Sequence, residues 1–160
     1  MTQTLDNKIN NIIKTFFEKN EIIIISILFI INVFLRFYKL ESAVPALNID
    51  EAAIAYSSWC LANFGTDRYL NSFPIYLQNF YSGQSPAYAY VLIPFVKIFG
   101  LNTYTVRIPN ALFYSIAFIF LYKLMRKISE ECLERVAALL IYTISPIILI
   151  LSRIGLDCNL

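Results

Sequence analysis

The sequence predicts an all-α membrane protein with about three transmembrane helices and an outer loop that carries interfacial helices. Hydrophobic residues make up 58 % of the 160 residues, whereas soluble domains contain about 45–50 % apolar residues. Charged residues make up only 15 %, and a soluble core of this length could not bury so much apolar surface. Long apolar stretches also alternate with short polar ones, which is typical of a chain that crosses a bilayer repeatedly.

The first forty residues divide into an amphipathic segment and an apolar one. Residues 1–20 place apolar side chains at helical spacing with lysines between them, which predicts a cytoplasmic helix that is either membrane-surface-bound or free. Residues 21–40 form the first predicted span, because the segment is almost entirely apolar up to Leu35. Arg36 and Lys39 follow at once without a small-residue cleavage site, so a cleavable signal peptide is the weaker interpretation.

Residues 41–105 form the first outer loop of the prediction, rich in polar and turn-forming residues. Asn48 and Glu51 have the spacing of a capping box, which predicts a helix start. That helix would end at Gly65, since glycine is common just past a helix C-terminus. Residues 86–99 are apolar but too short to cross a bilayer, so they predict an interfacial or re-entrant helix.

The second half of the chain predicts two further spans joined by a short cytoplasmic loop. Residues 106–125 form the second span, with Pro109 in its first turn, where proline is tolerated. The polar loop covers residues 126–135. Residues 136–152 form the third span, with a kink at Pro146.

Lysine and arginine determine the predicted orientation. Basic residues precede the first span and recur in residues 126–135, so both groups belong in the cytoplasm under the positive-inside rule. The prediction is a multi-pass protein of the plasma membrane with a cytoplasmic N-terminus, provided that residues 86–99 do not cross. Residues 153–160 then begin the next outer loop, and the chain is expected to be the front of a longer protein.

The residue inventory argues against several chemistries. There is no histidine, which removes the commonest catalytic base and metal ligand. The three cysteines form no C-x-x-C pair, so neither a zinc site nor a redox motif is predicted. The net charge is +2 and no basic run is present, so nucleic acid is not an expected partner.

Asp50 and Glu51 are the first candidate catalytic residues. Both start a helix close to the outer membrane face, and a helix N-terminus favours negative charge. A carboxylate there can accept a proton from an attacking hydroxyl, or bind a metal ion together with other oxygens. The alternative is that both residues only favour the helix start, and helix physics alone leaves these two interpretations open.

Five further residues are candidates for the site, four of them for substrate binding. Arg107 and Arg153 each lie at the outer end of a predicted span, where a guanidinium can bind a phosphate or simply anchor the helix. Asp157 follows Arg153 by four residues and could pair with it on a continuing helix. Gln84 and Tyr88 lie in a segment of amides and rings that suits sugar or headgroup contact, or equally an aromatic belt.

Several short motifs follow one another along the chain in a specific order: Leu35-Arg36-Phe37, Asp50-Glu51-Ala52, Gly83-Gln84-Ser85-Pro86, Phe99-Gly100, Val106-Arg107-Ile108-Pro109, and Ser152-Arg153 with Leu156-Asp157. Together they resemble the N-terminal part of the GT-C membrane glycosyltransferases. The closest similarity is to the protein O-mannosyltransferase and lipid A aminoarabinose transferase superfamily. The resemblance covers about residues 22–160.

The resemblance implies a hexosyl or mannosyl transferase of the cell envelope, active for example in protein glycosylation. The donor would be a sugar on a polyprenyl phosphate within membrane lipid, and the acceptor a hydroxyl of a protein, lipid or glycan. Asp50 matches the family's candidate catalytic base, Glu51 would support it, and Asp157 matches a second acidic position. Arg107 and Arg153 match positions near the lipid phosphate. No metal ligand is assigned, and a divalent cation is left open.

Two departures from the family pattern matter. Some relatives carry an acidic-basic pair where this chain has Gln84-Ser85, so a lysine contact to the carrier phosphate is absent. Family members also have many more spans, which supply much of the donor pocket, so we expect these 160 residues alone to be inactive.

The alternative to an enzyme is a non-catalytic small membrane subunit or a transporter fragment, with Asp50 as a structural cap. A transporter would more often place charges at mid-membrane. The predicted spans instead place their charges at the outer ends, which favours chemistry at the membrane surface.

Overall fold

The structure, a computed structural model, describes residues 2–42, 45–79 and 82–156. It is predominantly helical, which confirms the predicted all-α membrane class. The helices are α1 (Thr2–Phe37), α2 (Ile49–Phe64), α3 (Ala87–Phe99), α4 (Thr103–Ile128), α5 (Cys132–Ile144) and α6 (Pro146–Leu151). A short antiparallel hairpin between α2 and α3, formed by β1 (Leu77–Asn79) and β2 (Ser82–Gln84), was not predicted from the sequence.

α1 is one continuous helix where the sequence predicts an amphipathic segment followed by a span. No glycine or proline interrupts Thr2–Phe37, so nothing in the local sequence breaks the helix between the two parts. The part from Lys14 to Phe37 is long and apolar enough to cross a membrane. The side chains of residues 1–13 are outside the part of the chain that the structure describes, so the amphipathic face predicted there stays a prediction.

α4 is the second helix of the described chain that is long and apolar enough to cross a membrane. It begins at Thr103, earlier than predicted, because Asn102 caps it: the Asn102 Oδ1 accepts the Thr105 N–H at 2.8 Å. Pro109 therefore lies inside the helix, and its predicted place in the first turn is wrong.

The predicted third span is divided between two helices. α5 ends at Ile144 and α6 begins at Pro146, with Ser145 at φ −57° and ψ 119° between them. Proline has no N–H to donate and its ring clashes with the preceding turn. The kink predicted at Pro146 is therefore a break in the helix.

α1, α4 and α5 pack together along their apolar faces. Phe118 of α4 and Leu139 of α5 are buried in the same cluster as Ile25 and Leu28 of α1. The rings of Phe29 and Phe118 lie 5.6 Å apart. Between helices that lie in lipid, such contacts stabilise the bundle through van der Waals packing.

Polar contacts join one end of this bundle. The Glu21 carboxylate accepts hydrogen bonds from Arg135 at 2.7 and 2.8 Å and from the Tyr122 hydroxyl at 3.3 Å. Lys14 Nζ lies 2.7 Å from Glu131 Oε1. These contacts bring together the two basic regions that the sequence assigns to the cytoplasm.

A second core joins α2, α3 and α4 at the other end of α4. It contains Ile54 of α2, Leu92 of α3 and Val106 of α4, all fully buried. This packing fixes the first turn of α2, which carries the acidic pair, beside the first turns of α4.

Both predicted ends of α2 are confirmed. The Asn48 N–H donates to Glu51 Oε2 at 3.1 Å, as in a capping box. Gly65 has φ 71°, a left-handed conformation that favours glycine, and its N–H donates to the Leu61 carbonyl at 3.1 Å. The predicted helix at residues 86–99 is also present, as α3.

Candidate active site

The first turn of α2 points its two acidic side chains in different directions. Successive residues of an α-helix are about 100° apart around the axis. Glu51 is only 1 % exposed, whereas Asp50 is half-buried and faces the hairpin. The pair is therefore divided into one carboxylate inside the core and one at the surface of the site.

Glu51 joins three separate parts of the chain. Its Oε1 lies 3.4 Å from Arg107 Nε on α4 and accepts the Gly155 N–H, from the segment after α6, at 2.6 Å. Its Oε2 accepts the Asn48 N–H at the start of α2. A buried carboxylate is tolerated when it is paired and hydrogen-bonded in this way, and here it fixes the position of its neighbour Asp50.

Arg107 is fully buried and holds the chain that follows α1 against α4. Its Nη1 donates to the carbonyls of Leu40 and Glu41 at 3.1 and 3.3 Å, and its Nη2 donates to the Ala46 carbonyl at 2.8 Å. These contacts, together with Glu51, give Arg107 a clear positioning role. Its contact with a carrier phosphate stays a prediction.

Tyr88 is also buried, and its hydroxyl donates to the Val106 carbonyl at 2.7 Å. Gly155 packs against the same atoms: an added Cβ would lie 2.7 Å from Val106 O and 3.0 Å from the Tyr88 hydroxyl oxygen. Only glycine fits here, which allows the segment after α6 to reach Glu51. The contact of Tyr88 with a substrate stays a prediction.

Two arginines meet near the end of α1. Arg153 Nη2 donates to the Leu35 carbonyl, while its buried Nε has no hydrogen-bond partner in the described structure. Arg36 is fully buried, donates from Nε to Asn32 Oδ1 at 3.0 Å, and lies 4.9 Å from the centre of the Tyr142 ring. Arg153, which the sequence places at the outer end of the third predicted span, therefore also contacts the end of α1. Its contact with phosphate stays a prediction.

The hairpin brings Asn79 to Asp50, although 29 positions separate them in the sequence. Asn79 Nδ2 donates to Asp50 Oδ1 at 2.6 Å, and Asn79 Oδ1 accepts from Arg68 Nη2 at 3.2 Å. Asn79 therefore joins the side chains of Asp50 and Arg68 through two consecutive hydrogen bonds. Neither Asn79 nor Arg68 was predicted, and the only sequence signal was that both are polar residues of the outer loop.

A cavity of about 680 Å³ lies beside these three hydrogen-bonded side chains. Its walls are formed by Ile49, Ala52, Ala53, Tyr56, Arg68, Tyr69, Gln78 and Asn79. Small-molecule sites usually have about 300–1,000 Å³. The lining therefore combines the rings of Tyr56 and Tyr69 with the polar groups of Arg68, Gln78 and Asn79.

Asp67 shapes the turn that carries Arg68. It is 1 % exposed, and its Oδ1 accepts the N–H groups of Tyr69 and Asn71 at 2.9 Å each. Its Oδ2 accepts from Asn71 Nδ2 at 3.1 Å. Aspartate commonly organises turns by bonding the backbone that follows it, and here the turn fixes the direction of Arg68.

The remaining candidates are less closely tied to the cavity. Gln84 is paired with Leu77 in the hairpin, and its contact with a substrate stays a prediction. Asp157 lies outside the described residues. Within residues 2–42, 45–79 and 82–156, no group of three His, Cys, Asp or Glu side chains could hold a metal ion, and a divalent cation stays untested.

Residues 83–159 match the family model described as dolichyl-phosphate-mannose-protein mannosyltransferase. The GT-C resemblance predicted from the sequence is thereby confirmed for this segment. No curated protein and no solved structure matches the chain.

The GT-C match covers α3 to α6 and therefore includes Arg107, Arg153 and Tyr88. It supports a membrane glycosyltransferase of the GT-C type. Asp50 and Glu51 precede the matched segment in the sequence. Glu51 nevertheless contacts it, through Arg107 and Gly155.

Proposed function

We propose that the chain is the N-terminal part of a GT-C glycosyltransferase with Asp50 as its catalytic base. It would move a sugar from a polyprenyl-phosphate donor to a hydroxyl of a protein, lipid or glycan at the outer face of the plasma membrane. One observation carries the proposal: Asn79 holds the Asp50 carboxylate at 2.6 Å, close to the cavity, while Glu51 fixes the same helical turn in the core.

The proposed reaction needs one base and one leaving group. Asp50 accepts the proton of the acceptor hydroxyl, whose oxygen forms a bond to the anomeric carbon of the sugar. The bond between that carbon and the phosphate oxygen breaks, and its electron pair leaves with the phosphate on the polyprenyl carrier. The proton remains on Asp50 until solvent removes it.

The other candidate residues receive roles that follow from their surroundings. Glu51 orients Asp50 through the core of α2. Arg153 is proposed to contact the donor phosphate, because it matches a position near the lipid phosphate in the GT-C resemblance. Arg107 and Tyr88 are proposed to hold the floor of the site, and both have short contacts to backbone carbonyls that serve this role.

The test replaces Asp50 with asparagine in the protein expressed from its full gene. Transfer of radiolabelled sugar from a polyprenyl-phosphate sugar in membranes should fall by about 100-fold or more, which is the usual contribution of a general base. Expression should be unchanged, because asparagine is also tolerated near a helix start. Glu41→Gln, an exposed acid of the same outer loop, should keep full activity.

Near-normal transfer by Asp50→Asn would show that the carboxylate is not the base. It would favour the alternative of a non-catalytic membrane subunit in which Asp50 only stabilises the helix start. Equal loss in the Glu41 variant would show that the assay responds to any charge change in the loop.

A further inference from the structure

Arg68 lines the cavity near Asp50 and uses only part of its hydrogen-bonding capacity on the protein. Its Nη2 donates to the Gln78 carbonyl at 2.5 Å and to Asn79 Oδ1 at 3.2 Å. Its Nε is buried and has no hydrogen-bond partner in the described structure. A guanidinium has five N–H donors in a planar fork, and both of these hydrogen bonds use Nη2, so Nη1 keeps its donors for a ligand in the cavity.

The positive charge of Arg68 is not balanced by a carboxylate in direct contact. The ion pairs between described residues are Lys14–Glu131, Arg107–Glu51 and Arg135–Glu21. Asp50 is close, but the Asn79 amide separates the two, donating to Asp50 and accepting from Arg68. A guanidinium that lines a cavity without a carboxylate in contact favours an anionic ligand there.

The position of Arg68 is set by the protein before any ligand arrives. Asp67 fixes the turn on one side of it, and the Gln78 carbonyl fixes the guanidinium on the other. The Arg68 guanidinium also lies 5.1 Å from the centre of the Tyr69 ring. A preorganised fork of this kind matches the oxygens of a phosphate better than a flexible lysine does.

We propose that Arg68 binds the phosphate of a lipid-linked phosphate ester in this cavity through the guanidinium N–H groups that the protein leaves unused. The proposal rests on the proposed function and adds to it a second arginine, besides Arg153, that binds the leaving group. Asn79 then sets the separation between Asp50, which takes the proton, and Arg68, which binds the group that leaves with the electron pair. The rings of Tyr56 and Tyr69 on the same walls are placed to contact the sugar.

The test measures binding of farnesyl phosphate to the protein expressed from its full gene and reconstituted in phosphatidylcholine nanodiscs. Arg68→Gln should weaken binding by about tenfold or more, the usual effect of losing a charge-assisted hydrogen bond. Arg68→Lys should weaken it less, because the charge remains but the fork is lost. Lys39→Gln removes a cation that does not line the cavity, and should bind as the wild type does.

Two further arms identify the source of the phosphate. Farnesol should not bind at the Arg68-dependent site, since it lacks the phosphate. If phosphatidylglycerol in the nanodiscs abolishes the Arg68-dependent binding, the phosphate ester is a lipid headgroup. If binding persists there, it is the polyprenyl carrier.

Wild-type affinity in both Arg68 variants would overturn the proposal, as would an equal loss in Lys39→Gln. Should Arg68→Gln fail to fold, the Arg68→Lys comparison decides, since lysine keeps the charge and the long stem. The binding assay does not depend on the base: Asp50→Asn should still bind farnesyl phosphate. Normal binding with lost transfer in Asp50→Asn, and lost binding in Arg68→Gln, would establish the two roles separately.

Discussion

Removing the Glu51 carboxylate should destabilise the protein more than any surface change on the outer loop. Glu51 is 1 % exposed and Arg107 is 0 % exposed, so Glu51→Ala leaves a buried guanidinium without its counter-charge. Breaking a buried pair by removing one partner costs about 3–5 kcal/mol. The lost acceptors for the N–H groups of Asn48 and Gly155 act in the same direction.

The free energy of unfolding can be measured by titrating sodium dodecyl sulfate into mixed micelles. Trp59 is the single tryptophan of the chain and stacks against Tyr56 within α2, so its fluorescence reports on this region. Glu41→Ala is the control, because its exposed side chain lies on the same loop. The double variant Glu51→Leu with Arg107→Met should be more stable than Glu51→Ala, since an apolar pair avoids the unpaired charge.

A free energy of unfolding for Glu51→Ala within about 0.5 kcal/mol of the wild type, the range typical of surface changes, would refute this reasoning. It would mean that water or another group compensates Arg107. A double variant less stable than Glu51→Ala would show that the hydrogen bonds of Arg107 to the loop carbonyls dominate instead.

The remaining predictions concern backbone positions near the site. Gly155→Ala should lower the free energy of unfolding by about 1–3 kcal/mol, because its Cβ would lie 2.7 Å from Val106 O. Gly83→Ala is the control, because the nearest atom to its added Cβ is 3.7 Å away. Equal effects of the two variants in the same detergent titration would contradict the steric argument. Asp67→Ala should raise amide hydrogen exchange at Tyr69 and Asn71 by about tenfold, because both amides donate to its carboxylate. Asp67→Asn keeps the Oδ1 acceptor and should change exchange much less, so identical exchange in the two variants would argue against the turn assignment.

Local chemistry was enough to predict the ends of α2 and the class of the fold. Asn48, Glu51 and Gly65 define the helix ends through hydrogen bonds to residues within a few positions in the sequence. Such local contacts form largely independently of the rest of the tertiary structure. Apolar length likewise predicts spans without knowledge of their neighbours. Where a competing local signal exists, the prediction fails: the Asn102 cap starts α4 early and leaves Pro109 inside the helix.

The site depended on contacts that no local pattern contains. The sequence pointed to Asp50 through its family resemblance, but not to Asn79 or Arg68, because β1 and β2 are only three residues long and carry no clear alternation. The sequence also left Arg107 open between a phosphate ligand and a surface anchor, whereas the fold buries it against Glu51, 56 positions earlier.

What the sequence alone determined about this protein is therefore its membrane class, the limits of α2 and the acidic pair at the start of that helix. Tertiary structure decided which carboxylate faces the hairpin and which lies in the core. The physical reason is that burial depends on packing between α2, α3 and α4, which are brought together by distant residues, while capping and hydropathy act within a single segment.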